Sequence, residues 1–269
     1  MDTNMAVYKA LTIAGSDSGG GAGIQADLKT FQELGAFGMS AITAVTAQNT
    51  LGVHGVYPIS VDGIVEQINA IGEDLGTDAL KTGMLFSSEI IEAVSERIRY
   101  FNWKNLVIDP VMVAKGGAKL LKDDAIHALK EKLIPNAAVI TPNIPEAEII
   151  VDAKIETIDD RKKAAKAIID MGAKSVVMKG GHEEGRDVID LFYDGEVFTE
   201  LVSPRIETRH THGTGCTFSA AITAELAKGK EIREAVLTGK EFIRAAIETE
   251  LGIGKGHGPT NHWAYNQIK

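Results

Sequence analysis

Short apolar runs of strand type recur along the whole chain and are separated by stretches with helical periodicity. The runs "ALTIAG", "AITAV", "ALKTGM", "NLVIDPVMV", "AAVITP" and "SVVMKGG" show no alternation of polar and apolar residues, which is typical of strands buried on both faces. Between two of these runs, Ile24, Leu28 and Phe31 follow helical spacing. Such strands need helices on either side of their sheet. The sequence therefore predicts an α/β three-layer sandwich with a mostly parallel central sheet and helices on both faces.

The later part of the chain predicts an antiparallel edge to this sheet. The stretch "DVIDLFYDGEVFTEL", residues 187 to 201, alternates and carries Asp194 and Gly195 between two β-rich halves, so we expect a hairpin there. Helices are expected over about residues 215–228 and 232–251. Because no Pro/Ser-rich linker interrupts the pattern, we expect one domain over residues 1–269. The glycine-rich tail "GIGKGHGPTNHWAYNQIK" is either a loop near a site or a frayed terminus.

Charge and cysteine content narrow the possible partners. The formal net charge of -9 argues against a nucleic-acid backbone or an anionic membrane as the main partner, since both require basic patches. No segment approaches the roughly 18 consecutive apolar residues of a membrane span. Cys216 is the one cysteine, so an intrachain disulfide is excluded. We therefore expect a cytoplasmic protein that acts on small molecules.

The first glycine-rich loop lies in "TIAGSDSGGGAGIQAD", residues 12 to 27, between a predicted strand and a predicted helix. It is not a Walker A loop, because no lysine lies between Gly15 and Asp27. It matches the dinucleotide pattern only in part, because the acidic residue that should follow about 20 residues later is missing. Its glycines permit a close approach to a flat ligand, which Asp17 and Asp27 can orient. The alternative is a tight turn with Asp17 as a helix cap.

The second glycine-rich loop lies in "RHTHGTGCTFSAA", residues 209 to 221, where Gly213, Gly215 and Cys216 lead into an apolar helical run. Free N–H groups and the dipole at a helix N-terminus bind anions, so we expect a phosphate here. The same field lowers the pKa of a thiol, which predicts that Cys216 is partly thiolate and acts as a base or nucleophile. The alternative is a buried structural cysteine. For His210 and His212, a general polar role in the loop is favoured over a catalytic one.

Polar residues follow several predicted strands at the edge where parallel strands end. Asp109 follows one strand, Asn143 and Glu146 follow another, and Lys179 follows a third. Mg²⁺ takes one or two carboxylates together with phosphate oxygens and water, so Asp109 and Glu146 are candidate metal ligands. Lys179 suits a phosphate. Each of these residues is alternatively a helix cap or a surface charge, but their shared position favours one site.

Taken together, the motifs "AGSDSGGGAGIQADLKTF", "TAVTAQNT", "KTGM", "VIDPVM", "TPNIPEAE", "MKGGH" and "THGTGCT" cover nearly the whole chain. In order and spacing they resemble the hydroxymethylpyrimidine kinases of thiamine biosynthesis, which belong to the ribokinase-like superfamily. The resemblance implies a ribokinase-like fold and an ATP- and Mg²⁺-dependent kinase. Its substrates would be 4-amino-5-hydroxymethyl-2-methylpyrimidine and then the monophosphate of that compound. It also implies a homodimer.

The resemblance implies roles for individual residues. Gln48 would contact the pyrimidine ring, and its amide suits a ring that offers both a donor and an acceptor. Cys216 would accept the hydroxyl proton, with Gly213, Gly215 and Lys179 stabilising the moving phosphoryl group. Further implied substrate-binding residues are Gly15, Asp17, Gly21, Ala22, Met84 and Val111. Implied nucleotide-binding residues are Asn143, Glu146, Lys179, Thr211, Gly213 and Lys240, with Asp109 and Glu146 at the metal.

Three other functions compete with this one. Vitamin B6 kinases share the GTGC loop, but they tend to carry an additional cysteine where this chain has Ala114, and they lack the glutamine at Gln48; a side activity on pyridoxine stays open. A nicotinamide-dependent oxidoreductase would leave the GTGC loop, Asn143 and Glu146 without roles. A noncatalytic pyrimidine-binding module would bind the ring without consuming ATP.

Overall fold

The strands form one continuous sheet. The structure is a computed structural model that describes residues 6–112, 121, 123–181 and 185–267. The strands in that part of the chain are β1 Lys9–Asp17, β2 Phe37–Asn49, β3 Gly52–Pro58, β4 Ala79–Thr82, β5 Leu106–Ile108, β6 Ala137–Ile140, β7 Val176–Met178, β8 Asp187–Tyr193 and β9 Phe198–Pro204. Their order across the sheet is β3-β2-β1-β4-β5-β6-β7-β8-β9.

The direction of the strands confirms the prediction of a mostly parallel sheet. The pairs from β2 through β1, β4, β5 and β6 to β7 are all parallel, and each apolar run quoted from the sequence contributes one of these strands. The hairpin of β8 and β9 adds the predicted antiparallel edge. β3, which pairs antiparallel with β2 at the other edge, was not predicted from the sequence. Most of its residues are exposed, so it lacks the apolar pattern by which buried strands are identified.

Helices cover both faces of the sheet, as the predicted sandwich requires. They are α1 Gly23–Glu33, α2 Val61–Ala70, α3 Ser88–Tyr100, α4 Asp123–Ala128, α5 Ile144–Val151, α6 Ile158–Asp170, α7 Thr214–Ala227, α8 Ile232–Glu248 and α9 Ala264–Gln267. One apolar core joins the sheet to α2 through α6, and a second core joins its other face to α1, α7, α8 and α9. Within the described ranges, no helix has both the length and the hydropathy needed to cross a membrane.

The position of α7 determines where the second glycine loop lies. From Thr217 to Ala227 every residue of this helix is buried, because the helix is enclosed by the sheet, α1 and α8. Small, apolar and hydroxyl side chains make up nearly all of this buried stretch, which suits a helix enclosed on all sides. Gly239 of α8 permits the close approach, since a Cβ there would lie 3.1 Å from Ile222 Cγ1. The N-terminus of α7 is thereby held at the sheet edge where the parallel strands end.

Candidate active site

The Asp17 carboxylate organises the loop that follows β1. Its oxygens accept hydrogen bonds from the backbone N–H groups of Gly19 at 2.8 Å, Gly21 at 3.0 Å and Ala22 at 2.9 Å. Burial raises the pKa of Asp17, but the hydrogen bonds from His212 and from the loop backbone outweigh it and hold the pKa below its usual range. Asp17 is therefore an ionised carboxylate that shapes the loop around itself.

The two glycine-rich loops are in direct contact. Gly213 has a φ of 82°, and a Cβ at this position would lie 1.8 Å from the carbonyl oxygen of Gly21. A Cβ on Gly21 would in turn lie 2.5 Å from His212 Cδ2. Only glycine fits at Gly213 without moving the backbone, and at Gly21 without moving the His212 ring. The sequence separately predicted an acceptor loop and a phosphate loop, and the structure joins them into one site.

Gln48 and His212 meet at the boundary between these loops. Gln48 lies near the end of β2, where its backbone N–H donates to Ser18 Oγ at 2.9 Å. The Gln48 amide nitrogen lies 3.1 Å from His212 Nε2, which is also 2.8 Å from Asp17 Oδ2. These contacts agree with the polar loop role expected for His212, and they extend it to the first glycine loop. No local pattern could have revealed its contacts, because its partner Asp17 is 195 residues away in the sequence.

The second glycine loop presents the start of α7 to the site. In the described structure Gly213 caps this helix without a side-chain hydrogen bond, and the first helical bond runs from Thr217 N–H to the carbonyl oxygen of Gly213 at 2.9 Å. A Cβ on Gly215 would lie 3.3 Å from Lys179 Nζ and 3.4 Å from Asp109 Oδ2. The positive end of the helix and a lysine thus converge, which is the arrangement that favours a phosphate.

Lys179 is held by two carboxylates behind the loop. Its ammonium lies 3.1 Å from Asp109 Oδ1. Burial lowers the pKa of Lys179, but Asp109 and Glu146 offset this and raise the pKa above its ordinary value. Glu146 accepts from the Asn143 N–H at 2.9 Å, and Asn143 Oδ1 accepts from the Glu146 N–H at 2.9 Å, which forms a capping box at the start of α5. Lys179 therefore remains charged, and the capping box fixes Glu146 near it.

Asp109 and Glu146 fit a magnesium ion that takes part of its ligands from a bound nucleotide. Among the described residues, no three His, Cys, Asp or Glu side chains cluster so that the protein alone could hold a metal. Asp109 and Glu146 supply two carboxylates, and burial raises the pKa of Glu146 against the opposing effect of Lys179. Mg²⁺ takes one or two carboxylates and completes its coordination with water and phosphate oxygens. The site thus suits a metal that arrives with the phosphates of a nucleotide.

The predicted lowering of the Cys216 pKa is wrong. Burial raises the pKa of this thiol to about 11, although the nearby charge of Lys81 works in the opposite direction. The sequence showed the helix N-terminus, whose dipole favours a thiolate, but it did not show that desolvation in the fold would outweigh this effect. In the described structure Cys216 is therefore a thiol at neutral pH.

Asp27 does not face the ligand side of its loop. It is fully buried, with Oδ1 2.7 Å from Lys81 Nζ and Oδ2 accepting from the Thr12 hydroxyl at 2.6 Å. Lys81 Nζ lies a further 3.5 Å from the carbonyl oxygen of Cys216. The expectation that Asp27 orients a ligand is therefore wrong. This buried pair instead supports the first turn of α7 from beneath.

The remaining acceptor-side residues lie at neighbouring strand ends. Met84 follows β4, and a Cβ on Gly15 would lie 2.6 Å from its Cε. Val111 follows β5 with a φ of 40°, a conformation that β-branched residues rarely adopt. Such strain clusters at functional sites. Ala114, one of the two positions expected to differ from vitamin B6 kinases, lies outside the described residues.

Two predicted nucleotide-binding residues, Thr211 and Lys240, lie in different parts of the structure. The carbonyl oxygen of Thr211 accepts from the Thr214 N–H at 3.5 Å, which places Thr211 in the phosphate loop itself. Lys240 lies on α8 and pairs with Asp190, whose other oxygen accepts from the Gly180 N–H at 2.8 Å. Asp190 thus connects Lys240 to Gly180, the residue after Lys179. Lys240 contacts this part of the site and not the glycine loops.

The glycine-rich tail lies over the site, so the interpretation as a loop near a site is confirmed. The N–H of His212 donates to the carbonyl oxygen of Gly258 at 3.0 Å, and the N–H of Thr260 donates to the carbonyl oxygen of His212 at 3.3 Å. The N–H of His257 donates to the carbonyl oxygen of Thr50 at 2.8 Å. The tail thereby fixes the backbone of His212 from both sides.

The chain matches known kinases over nearly its whole length. A sequence model of phosphomethylpyrimidine kinase matches residues 17–261. The hydroxymethylpyrimidine/phosphomethylpyrimidine kinase of Bacillus subtilis is 57% identical over 98% of this chain and 97% of its own. The pyridoxine kinase of Bacillus subtilis is 49% identical over 97% of each chain.

The fold implied by the sequence resemblance is confirmed by a solved structure. The ADP complex of Bacillus subtilis pyridoxal kinase superposes with a TM-score of 0.91 at 48% identity, over 97% of this chain and 99% of that one. The chain therefore has a ribokinase-like fold and belongs to the phosphomethylpyrimidine kinase family.

Proposed function

We propose that this chain uses ATP to phosphorylate the hydroxymethyl group of 4-amino-5-hydroxymethyl-2-methylpyrimidine, and then phosphorylates the resulting monophosphate to the diphosphate. The main support for this proposal is the contact between the two glycine loops. The loop built by Asp17 touches the phosphate loop at Gly21 and Gly213. An acceptor bound at the first loop and a nucleotide bound at the second would therefore be adjacent, as in-line transfer requires.

The phosphate loop and Lys179 would stabilise the charge on the group that moves. The relative with the 0.91 TM-score was solved with ADP, which supports a nucleotide as the donor. We place its phosphates at the start of α7, from Gly213 to Cys216, where the backbone N–H groups face them. Lys179 keeps its positive charge because of Asp109 and Glu146. Stabilisation of this type supplies most of the acceleration in phosphoryl transfer.

Asp109 and Glu146 would hold the magnesium ion. Glu146 would act through a water molecule, because both of its carboxylate oxygens already accept backbone hydrogen bonds. The ion would neutralise charge on the phosphate oxygens. Asn143 holds Glu146 through the capping box.

Cys216 is the proposed acceptor of the hydroxyl proton. Because its pKa is raised to about 11, only a small fraction is thiolate at neutral pH, and that fraction would limit the rate. The proposal therefore requires the rate to rise with pH.

The acceptor ring would lie against the first loop, with Gln48 donating to a ring acceptor and accepting from an exocyclic amine. The other residues proposed to line this pocket are Gly15, Asp17, Gly21, Ala22, Met84 and Val111.

The first experiment measures ATP consumption with Mg²⁺ and each of three acceptors at equal concentration, with products identified by mass. The acceptors are the hydroxymethylpyrimidine, its monophosphate and pyridoxal. Turnover of both pyrimidines supports the proposal. Turnover of pyridoxal alone would identify a vitamin B6 kinase, an activity that the name of the 49% identical relative favours as a second candidate. Binding of pyrimidine without ATP consumption would overturn both.

The homodimer is proposed to form through the edge strand β3. Apolar side chains on β3 and the adjoining turn are exposed, with Leu51 at 67%, Val53 at 50% and Tyr57 at 64%. An exposed apolar strand edge favours pairing with a second copy. Sedimentation of the wild type as a dimer, and of Val53→Glu as a monomer, is the expected result. A monomeric wild type would refute it.

A further inference from the structure

We propose that His212 is a positioning residue that fixes the orientation of the Gln48 amide, and that this orientation sets the preference of the pocket among heterocyclic acceptors. The proposal rests on the function proposed above, because it concerns the ring that Gln48 would contact. Four contacts of the described structure carry it, and they concern His212, Gln48, Asp17 and Thr46.

His212 belongs to the phosphate loop, but its side chain reaches the acceptor loop. Its backbone is held on both sides by the tail, through Gly258 and Thr260. Its imidazole packs against the Gly21 backbone, where even a Cβ would come within 2.5 Å of the ring. Only 17% of the side chain is exposed. The ring therefore has a fixed place between the two loops.

Asp17 determines which ring nitrogen carries hydrogen. Its Oδ2 lies 2.8 Å from His212 Nε2 and already accepts from the N–H groups of Gly21 and Ala22. An ionised carboxylate can only accept. Nε2 of His212 therefore carries a hydrogen and donates it to Asp17, in the neutral ring as in the charged one.

This hydrogen decides how the Gln48 amide must be turned. With the amide nitrogen 3.1 Å from His212 Nε2, two N–H groups face each other. The amide oxygen then lies 3.2 Å from Thr46 Oγ1, but that hydroxyl has one hydrogen and donates it to the carbonyl oxygen of Ser16 at 2.8 Å. A half-turn of the amide exchanges its oxygen and nitrogen and resolves both conflicts. Gln48 Oε1 then shares the single His212 Nε2 hydrogen with Asp17 Oδ2 in a three-centre bond, and Gln48 Nε2 donates to Thr46 Oγ1.

A fixed amide discriminates between rings that a free amide would accept equally. Held by His212 and Thr46, Gln48 has one N–H and one lone pair left for a ligand. An aminopyrimidine offers a ring nitrogen and an adjacent amine to match them, whereas a pyridine with a hydroxyl in place of the amine matches less well. Leaving a polar group unpaired is the strongest basis for rejecting a ligand. Loss of the His212 donor would let the amide rotate to suit either ring.

The test measures dissociation constants of the hydroxymethylpyrimidine and of pyridoxine by titration calorimetry, together with turnover of the wild type. The variants are His212→Ala, His212→Gln, Gln48→Ala and the double alanine variant. His212→Gln can place an amide N–H near the former Nε2, so it serves as the conservative rescue. Thermal melting confirms that each variant is folded.

We expect His212→Ala to reduce the ratio of pyrimidine to pyridoxine affinity about tenfold, which is the loss expected for one hydrogen bond of roughly 1.4 kcal/mol. His212→Gln should restore the ratio to within about threefold, and the double variant should match Gln48→Ala alone. If His212→Ala weakens both ligands equally, or if its effect adds fully to that of Gln48→Ala, the inference is wrong. A wild type that binds pyrimidine with the expected preference but shows no turnover would refute the proposed function and leave this inference intact.

Discussion

Replacement of Gly213 by alanine tests whether contact between the two glycine loops is required for activity. Gly213 and Gly229 flank the same helix, α7, and have nearly the same φ, 82° and 79°. An alanine at either position therefore carries a similar cost of about 1–2 kcal/mol for the left-handed conformation. At Gly229 a Cβ meets no described atom within 4 Å, whereas at Gly213 it lies 1.8 Å from the Gly21 oxygen. Gly229→Ala is thus a matched control for strain without the loop contact.

The size of the expected effect follows from that distance. Ordinary van der Waals contact begins at 3.4 Å, so Gly213→Ala must move the loops apart by more than 1 Å. A misplacement of about 1 Å costs on the order of 10²-fold in rate. We expect kcat/KM of Gly213→Ala to fall about 10²-fold, while that of Gly229→Ala changes less than about twofold. Urea unfolding should show a loss of about 1–2 kcal/mol for the control.

The assay is ADP release with saturating ATP and a range of hydroxymethylpyrimidine concentrations, at a temperature where both variants are folded. If Gly213→Ala keeps kcat/KM within threefold of the wild type, contact between the loops does not position the reactants. An equal loss of activity in both variants would attribute the effect to backbone strain.

Three further predictions concern groups around the site. Lys81→Met leaves the buried Asp27 carboxylate unpaired, so the free energy of unfolding in urea should fall by about 3–5 kcal/mol, and by less when Asp27→Asn is added. Burial lowers the pKa of His262 from 6.5 to about 4, so the unfolded state takes up a proton first as the pH falls. Stability should therefore decline by about 3 kcal/mol between pH 6.5 and 4, with a flatter profile for His262→Gln. With the Cys216 pKa at about 11, kcat/KM should rise about tenfold per pH unit from 7 to 9, whereas Cys216→Ala should lose about 10²-fold and show a flat profile.

A different result would contradict each of these three predictions. Equal unfolding energies for Lys81→Met and the wild type would mean that water or rearrangement compensates Asp27. Identical pH profiles for the wild type and His262→Gln would assign the acid sensitivity to other groups. A wild-type kcat/KM that is flat from pH 7 to 9 would remove Cys216 as the base.

The architecture was predictable wherever a residue's surroundings follow from its neighbours in sequence. Five of the six parallel strands are buried on both faces, and burial of that kind leaves an unbroken apolar run. The sixth, β2, has the exposed residues Phe37, Val45 and Ala47 but still contains the apolar run "AITAV". The Asp194 and Gly195 pair indicated the hairpin of β8 and β9. The exception is Gly52–Pro58, whose side chains mostly face solvent, so that its strand is specified by pairing with β2 and not by its own pattern.

The site was predictable in its parts but not in its electrostatics. Parallel strands end at one edge, which was enough to bring Asp109, Glu146 and Lys179 together. Whether a group is buried depends on elements far away in the chain. For that reason the pKa of Cys216 was predicted in the wrong direction, the inward position of Asp27 was missed, and the partners of His212 could not be named.

The contacts that join the loops also set an order of events during synthesis. His212 meets Asp17 across 195 residues, and Gly256 meets Thr50 across 206. A growing chain emerges from its N-terminus, and contacts so distant in sequence form late. All six parallel strands lie before residue 180, so they are available to pair before the ribosome has added α7 or the tail. The contacts between the two glycine loops and the tail thus form only once translation is nearly complete, and a polypeptide that stops short of the tail can have its full sheet and still lack these contacts.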